Sequence, residues 1–404
     1  MLKKINVKDL KLGMYLQEIC GSWMDHPFWK KSFELTDAKD LKTLVECGIH
    51  EVWIDTSKGL DIESAVNSQS IETENQRINA ALEQLAQIPV KTILHVSMHE
   101  EIEQARKIHT KAKEAVTLMF QEARMGNALQ LDEISTLVDD ISMSITRNPE
   151  AFLSLSRLKN KDNYTYLHSV AVCALMIALG KQMDLDPALM KDLGMAGLLH
   201  DVGKMMIPDE ILNKPGRLTD EEFTIVKNHP LQGWELLKGS EGVCPMAFDV
   251  CLHHHERIDG AGYPDKLSGE ALSLYARMGA VCDVYDAITS TRCYKIGWEP
   301  AEAIRKMAEW QEGQFDSTVF HAFVKTIGIY PSGTLVKLKS TRLAVVLEQS
   351  AKSLLTPTVK VFFSTTANAP LQPEIIDLTQ SADSILNAED PKKWGFDIKK
   401  LTGI

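Results

Sequence analysis

The sequence predicts a multidomain protein: a small α+β module at the N-terminus, a large all-α domain in the centre and a small β-rich appendage at the C-terminus. Three observations predict it. At 404 residues the chain is too long for one ordinary domain. From about residue 150 to 330 the apolar positions repeat almost wholly at helical spacing. On either side, short alternating β-branched segments lie between turn residues. The expected divisions are 1–62, a polar linker with connecting helices over 63–148, the helical domain over 149–330, and the appendage over 331–404.

In the first module, INVKDLKLGMYLQEI reads as two strands around Leu12-Gly13, and HEVWIDT (50–56) as a third. A helix from about Asp37 ends at Gly48, which suits a C-cap. Trp23, Phe28, Trp29 and Phe33 read as core rather than a ligand cage, and His26 and His50 as surface or structural residues. Residues 63–92 are polar and partly helical. Ser97-Met98-His99-Glu100 is a capping box opening a helix. Its apolar stripe is Ile102, Ala105, Ile108, Ala112, Val116, Met119 and Ala123, and Gly126 closes it. A second helix runs from Asp132 to about Arg147. The two are expected to pack on the next domain; they would also suit a homodimer with a second copy.

In the central domain, Tyr164–Gly180 is an apolar helix in which His168 shares a face with Ala171, Val172 and Leu175. The helix Leu189–His200 puts His200 on a stripe with Gly197, Ala196, Leu193 and Leu189, hence on its buried face. Ile207-Pro208 and Lys214-Pro215-Gly216 mark a tight loop. Thr219–Glu222 is a capping box whose helix reaches His229-Pro230. A helix from about Phe248 delivers His253, His254, His255 and Glu256, followed by the glycine-rich loop 259–264. The helix Leu274–Ser290 gathers Gly279, Ala280, Asp283, Asp286 and Ala287 on one face. Beyond 331, GTLVKLKSTRLAVVLEQ and TPTVKVFFSTT read as strands, with Trp394 and Phe396 covering them.

Composition narrows the function classes. A net charge of −11 disfavours DNA as a partner, because phosphate neutralisation needs a basic surface. No apolar run reaches the ~18–20 residues of a membrane span, and MLKKINVKDLKLGMYL lacks a secretory h-region. A cytoplasmic protein without a membrane partner is expected. The seven cysteines (20, 47, 173, 244, 251, 282, 293) form no CxxC pair, which argues against disulfides and a thiolate zinc site. Cys173 and Cys282 read as core residues.

The chemistry lies in His168, His200, Asp201, His229, His254, His255 and Asp283. A lone buried histidine is usually a hydrogen-bonded core residue. Seven candidates without a thiolate, however, exceed the four ligands of one structural zinc. They fit two adjacent divalent metals with Asp201 bridging, and nitrogen and oxygen donors with open positions suit iron, manganese or another first-row ion. Such a pair generates a bridging hydroxide at neutral pH and clamps both oxygens of an in-line displacement at phosphorus.

The ordered set His168, His200-Asp201-Val202-Gly203-Lys204, Asn228-His229-Pro230, His254-His255-Glu256-Arg257-Ile258-Asp259-Gly260-Ala261-Gly262-Tyr263-Pro264 and Asp283-Val284-Tyr285-Asp286-Ala287 resembles the HD-GYP class of HD metal-dependent phosphohydrolases. Residues 1–130 resemble, more weakly, the uncharacterised module that precedes some HD-GYP domains. The resemblance implies an HD-type helical catalytic domain that hydrolyses bacterial cyclic di-GMP to linear pGpG, and sometimes on to GMP. It implies one metal held by His168, His200, Asp201 and Asp283, and another by Asp201, His229, His254 and His255. Lys204 would sit beside the bridging hydroxide and the scissile phosphate, Arg292 and Lys295 would contact phosphate, and Gly260, Gly262, Tyr263 and Pro264 would form the signature loop. Apart from the resemblance, the glycines allow backbone to approach a ligand, and Tyr263 offers a stacking face or a hydroxyl.

Two departures are visible. Some members carry a glutamate for a third metal where this chain has Tyr164, so two metals are predicted; Cys293 stands where proline is common. His253 reads as no ligand, Asp286 as an orienting residue, Glu256 and Asp259 as braces of the loop, and Lys214 and Arg217 as solvated charges that could offset the acidic balance. Two other readings stay open: a sensor or scaffold that binds cyclic di-GMP and signalling protein partners with little turnover, and a phosphodiesterase for a related molecule such as 3′,3′-cyclic GMP-AMP. Regulation by residues 1–130 is a further expectation.

Overall fold

The computed structural model describes residues 2–19, 32–46, 51–61, 69–86, 96–156, 164–214, 216, 218–290, 297–350 and 352–402. The first sheet is antiparallel with order β3-β2-β4-β1-β5, built from β1 (Leu2–Asn6), β2 (Tyr15–Ile19), β3 (Phe33–Glu34), β4 (Glu51–Asp55) and β5 (Gln69–Ser70). β1 and β2 flank the Leu12-Gly13 turn as expected, yet they do not pair with each other. β4 lies between them, with Val52 opposite both Ile5 and Ile19. That central place explains its unbroken Val52-Trp53-Ile54 run, buried throughout. α1 (Ala38–Glu46) closes a core of Ile5, Leu16, Leu35, Leu44, Val52 and Ile54. Trp23, Phe28, Trp29, His26 and His50 lie outside the described residues.

α2 (Ile71–Ala86) leads to α3 (Met98–Arg124), which opens on the expected capping box: Ser97 Oγ accepts from Glu100 N, and the Glu100 carboxylate accepts from Ser97 N. Ala105, Ile108, Ala112, Val116, Met119 and Ala123 are buried along it, and Gly126 turns the chain with φ +78°. The stripe packs within the chain, against α4 (Asp132–Arg147), α5 (Pro149–Ser156) and α6 (Tyr164–Gln182). Glu101, buried in that seam, accepts from Ser144 Oγ at 2.7 Å and Arg147 Nε at 2.6 Å.

α6 is buried on all sides from Leu167 to Leu179, as suits a helix that is apolar all round. Around it lie α7 (Met190–Leu199), α8 (Asp209–Leu212), α9 (Asp220–Lys227), α10 (His229–Lys238), α11 (Pro245–His253), α12 (Leu274–Thr289), α13 (Pro300–Gln314) and α14 (Ser317–Ile327). α9 opens on its predicted Thr219–Glu222 box. α11 differs from expectation: it starts at Pro245 and ends at His253, so His254 and His255 leave from its terminating turn.

The C-terminal sheet has order β10-β6-β7-β8-β9: β6 (Leu335–Leu338), β7 (Arg342–Glu348), β8 (Thr358–Ser364), β9 (Ala369–Asp377) and β10 (Ile385–Ala388). Trp394 and Phe396 cover one face of it beside Leu335, Leu343 and Phe362, as predicted. Glu150 of α5 anchors the sheet by accepting from Ser332 Oγ and Gln349 N, both at 2.8 Å. The N-terminal sheet touches α13 through Lys306–Glu18 at 2.8 Å, and α2 touches it through Arg77–Glu312 at 3.0 Å. Among the described residues no helix is long and apolar enough to cross a membrane.

Candidate metal centre

Five helices and one 3-10 turn converge on one buried point. α6 supplies His168. The end of α7 supplies His200 and Asp201, and the following 3-10 turn (Val202–Met206) supplies Lys204. His229 opens α10, His254 and His255 follow the end of α11, and Asp283 lies on α12. Close helix contact makes this convergence possible. A Cβ on Gly197 would sit 2.9 Å from the Cys173 backbone of α6, and one on Gly203 would sit 2.0 Å from the His229 carbonyl oxygen.

The seven side chains form two groups that share Asp201. His168, His200, Asp201 and Asp283 each offer one ligand atom within 4.8 Å of the others, and so do Asp201, His229, His254 and His255. The two oxygens of Asp201 divide between the groups. Oδ2 lies 3.3 Å from His168 Nε2 and 3.4 Å from His200 Nε2. Oδ1 lies 3.2 Å from His229 Nε2 and 3.6 Å from His254 Nε2. Asp283 Oδ1 is 2.9 Å from His168 Nε2. All seven residues are 7% exposed or less.

Ring nitrogens facing outward from this point fix the tautomers. His200 Nδ1 donates to Gly197 O at 2.7 Å, and His229 Nδ1 to Val226 O at 2.7 Å. His254 Nδ1 donates to the Val250 and Cys251 carbonyls at 3.0 Å, and His168 Nδ1 to Asp286 Oδ2 at 2.6 Å. A carbonyl or an ionised carboxylate accepts only, so each of these rings carries a proton on Nδ1 and turns Nε2 inward. His229 Nε2 and His254 Nε2 therefore face each other, 3.3 Å apart, as two acceptors. The Nε2 of His200 and of His255, Asp201 Oδ1 and Asp283 Oδ2 are buried without a hydrogen bond among the described residues. Converging lone pairs and buried carboxylate oxygens fit cations, since burying them unpaired is costly.

The electrostatics divide the ligand candidates. Burial pushes His229, His255 and His254 down, His254 to about 4, which keeps these rings neutral as ligands must be. Burial also opposes the charge of His200, but Asp201 and Asp283 beside it push it up to about 10. Burial opposes the charge of Asp201, yet Lys204, His200 and His168 hold its carboxyl well below the usual carboxylate range. Lys204 Nζ lies 2.5 Å from Asp201 Oδ2 at the rim of the centre.

The signature loop stands over this centre. Tyr263 stacks on His255 at 4.8 Å between ring centroids, and Pro264 follows half-buried through a cis peptide. Gly260 has φ +76°, and a Cβ on Gly262 would sit 2.4 Å from Glu256 Cα, so both glycines serve the loop's own close packing. Glu256 and Asp259 brace the loop, accepting from Asp265 N at 2.7 Å and Ala261 N at 3.0 Å. His253 points elsewhere, to Asp249 at 2.8 Å and Asp265 at 3.2 Å. Lys214 pairs with Glu222 at 2.6 Å. Arg292, Lys295, Cys293 and Arg217 lie outside the described residues, as does the side chain of Tyr164. Sequence reasoning missed the brace from α13: Asp259 N donates to Gly313 O at 3.0 Å. A glycine near the end of a helical pattern was the available signal.

Comparison with known proteins places the chain among relatives. A family described as a domain of unknown function matches residues 2–134, and the HD-domain family matches residues 141–319. The chain is 53% identical over 400 residues to a cyclic di-GMP phosphodiesterase of Pseudomonas aeruginosa, covering 98% of this chain and 94% of that one. It is 36% identical over 219 residues to a cyclic di-GMP phosphodiesterase response regulator of Xanthomonas campestris, covering 50% and 57% of the two chains. It is 35% identical over 179 residues to a 3′3′-cGAMP-specific phosphodiesterase of Vibrio cholerae, covering 43% and 41%. On the relative matched over nearly its whole length, and on the HD-domain match around the His–Asp centre, the chain belongs to the HD-GYP family of HD-domain, metal-dependent phosphodiesterases.

Proposed function

We propose that the chain hydrolyses cyclic di-GMP to linear pGpG at a two-metal centre in the domain 149–330. One observation carries this reading: Asp201 turns one oxygen toward His168 and His200 and the other toward His229 and His254. His168, His200 and Asp283 would hold one ion and His229, His254 and His255 the other, with Asp201 common to both sets. The donors suit iron or manganese. When bound, such a pair supplies a water-derived nucleophile at neutral pH and neutralises charge on the phosphate. Lys204, anchored on Asp201, sits where it orients the scissile phosphate. Tyr263 stacks against the substrate's sugar or base from its place on His255. Arg292 and Lys295 supply further phosphate contacts, and Tyr164, in place of a third-metal glutamate, limits the set to two ions. The enzyme works in the cytoplasm.

The test is a metal count on the purified chain, with cyclic di-GMP and 3′,3′-cyclic GMP-AMP followed by chromatography in added manganese or iron. Two metals per chain, and pGpG formation that disappears in Asp201→Ala, is the expected result. Faster cleavage of 3′,3′-cyclic GMP-AMP would move the substrate. Tight binding of cyclic di-GMP without turnover would make the protein a sensor, and no bound metal would sink the centre itself.

A further inference from the structure

The backbone leading into the signature loop hangs on the broken end of α13. Gly313 O accepts from Asp259 N at 3.0 Å, and Gln314 O from Ile258 N at 3.3 Å. The break lies at Glu312 (ψ 108°) and Gly313 (φ +95°); a helix continuing through both would direct these carbonyls along its own axis. Glu312, where the helix opens, is gripped by α2, which follows the N-terminal sheet: Arg77 Nη1 donates to Glu312 Oε1 at 3.0 Å.

The Glu312 side chain is 85% exposed, and an ordinary surface pair there would contribute little. Arg77, however, is fixed from behind. Its Nε and Nη2 donate to the two carboxylate oxygens of Glu74 at 3.2 and 2.9 Å. Glu74 is 3% exposed, with Lys4 Nζ of β1 3.7 Å away. A planar fork held at two points presents its third nitrogen in one place, which a lysine could not do. α2 is itself seated on α13. Asn75 Oδ1 accepts from Arg305 Nη2 at 2.5 Å, and Ile78, Leu82 and Leu85 share one buried core with Ile304 and Met307. We propose that Arg77 is a positioning residue for the signature loop: the line Lys4, Glu74, Arg77, Glu312 ties β1 to the break in α13, and so to Ile258, Asp259 and Tyr263. The N-terminal module then acts on catalysis without supplying a group to the metal centre. The catalytic consequence rests on the function proposed above; the placement of the loop does not.

The experiment compares full-length, manganese-loaded wild type with Glu312→Ala, Arg77→Ala and the double variant. Backbone hydrogen exchange in the segment 256–265 is followed by mass spectrometry, beside metal count, thermal melting and cyclic di-GMP cleavage. Arg77→Ala also removes a partner of buried Glu74, so the comparison is made through Glu312→Ala. In the wild-type background Glu312→Ala is expected to speed exchange in the segment about two- to fivefold. It should lower kcat/KM by a similar factor, with the metal count unchanged and the melting midpoint within about 2 °C. In the Arg77→Ala background it should change nothing further, because the link is already cut. Unchanged exchange in the segment would overturn the assignment. So would an equal effect in both backgrounds, which would make Glu312 independent of Arg77, or exchange that rises equally along the whole chain. Faster exchange at unchanged kcat/KM would show a tether on which catalysis does not depend, and would overturn it too. A wild type that holds metal but does not cleave cyclic di-GMP would overturn the substrate reading instead, and the exchange result would still decide whether Arg77 places the loop.

Discussion

His168 and Asp286 form a fully buried pair, with Nδ1 2.6 Å from Oδ2. Asp286 lies three residues after Asp283 on α12, so one helix face supplies both a ligand candidate and the group that orients its neighbour. The carboxylate keeps the imidazole proton on Nδ1 and aims Nε2 at Asp201 and Asp283. Asp286→Ala is expected to lower metal affinity by about 10- to 100-fold, the usual effect of removing such a partner. Competition against a chelator, with metal counted per chain, measures this. Unchanged affinity would show that packing alone holds the ring.

Gly203 joins the turn after Asp201 to α10. A Cβ there would lie 2.0 Å from His229 O and 2.4 Å from Gly233 N, both backbone atoms that cannot rotate away. Gly203→Ala is expected to destabilise the protein by about 1–3 kcal/mol or more and to reduce bound metal, since the displaced backbone carries His229. Gly239→Ala is the control: its nearest atom, Leu236 O, would be at an ordinary 3.5 Å. Thermal melts and metal counts on the two variants should separate cleanly.

The centre was legible because metal binding demands particular residue types, and helical spacing places them on interior faces. His200 illustrates this: its stripe of Ala196 and Gly197 predicted burial, and it is 0% exposed. The tautomers were less legible, although their cause is local. His200 and His229 each donate to the carbonyl three residues back, a bond open to histidines at helix junctions. Sequence reading ran the helix of His253 on to Glu256, because no Gly or Pro interrupts it before Gly260; the chain instead leaves the helix to turn both His254 and His255 inward. β9 escaped notice for a different reason. It is an edge strand, exposed over Pro370–Ile375 and interrupted by Pro370 and Pro373, so no period-two pattern marks it. The place of β4 between β1 and β2 is a matter of topology that strand patterns do not encode.

Lys306 of α13 lies 2.8 Å from Glu18 of the N-terminal sheet and 3.0 Å from Glu309, its own side chain 18% exposed. Burial pushes Glu309 up, and Lys306 restrains that rise. A carboxyl whose folded pKa exceeds its unfolded one contributes stability that is full at low pH and lost as pH rises through the folded value. Lys306→Met removes the restraint. The variant is expected to lose about 1–2 kcal/mol, less than a fully buried pair would because of the remaining exposure. The gap from wild type should widen as pH rises from the ordinary carboxylate range through the raised value of Glu309. Melts across that range measure it, and a gap that stays constant would show that Lys306 does not set the charge of Glu309.

The C-terminal end of α13 holds the signature loop by its backbone. Gly313 O accepts from Asp259 N at 3.0 Å, and Gln314 O from Ile258 N at 3.3 Å. Gly313 does so with φ +95°, and a Cβ there would sit 2.9 Å from Asp259 Oδ2. Gly313→Ala therefore meets two obstacles: a left-handed backbone that costs an L-residue about 1–2 kcal/mol, and a carboxylate already committed to Ala261 N. The loop has to move, and Tyr263 with it. We expect a stability loss of that size together with a fall of about tenfold in kcat/KM, because a small misplacement of a positioning loop is costly. Gly313→Asn tolerates the backbone better but brings the same Cβ, so it should regain stability while leaving kcat/KM low. Recovery of both together would locate the effect in helix strain rather than in the contact with Asp259.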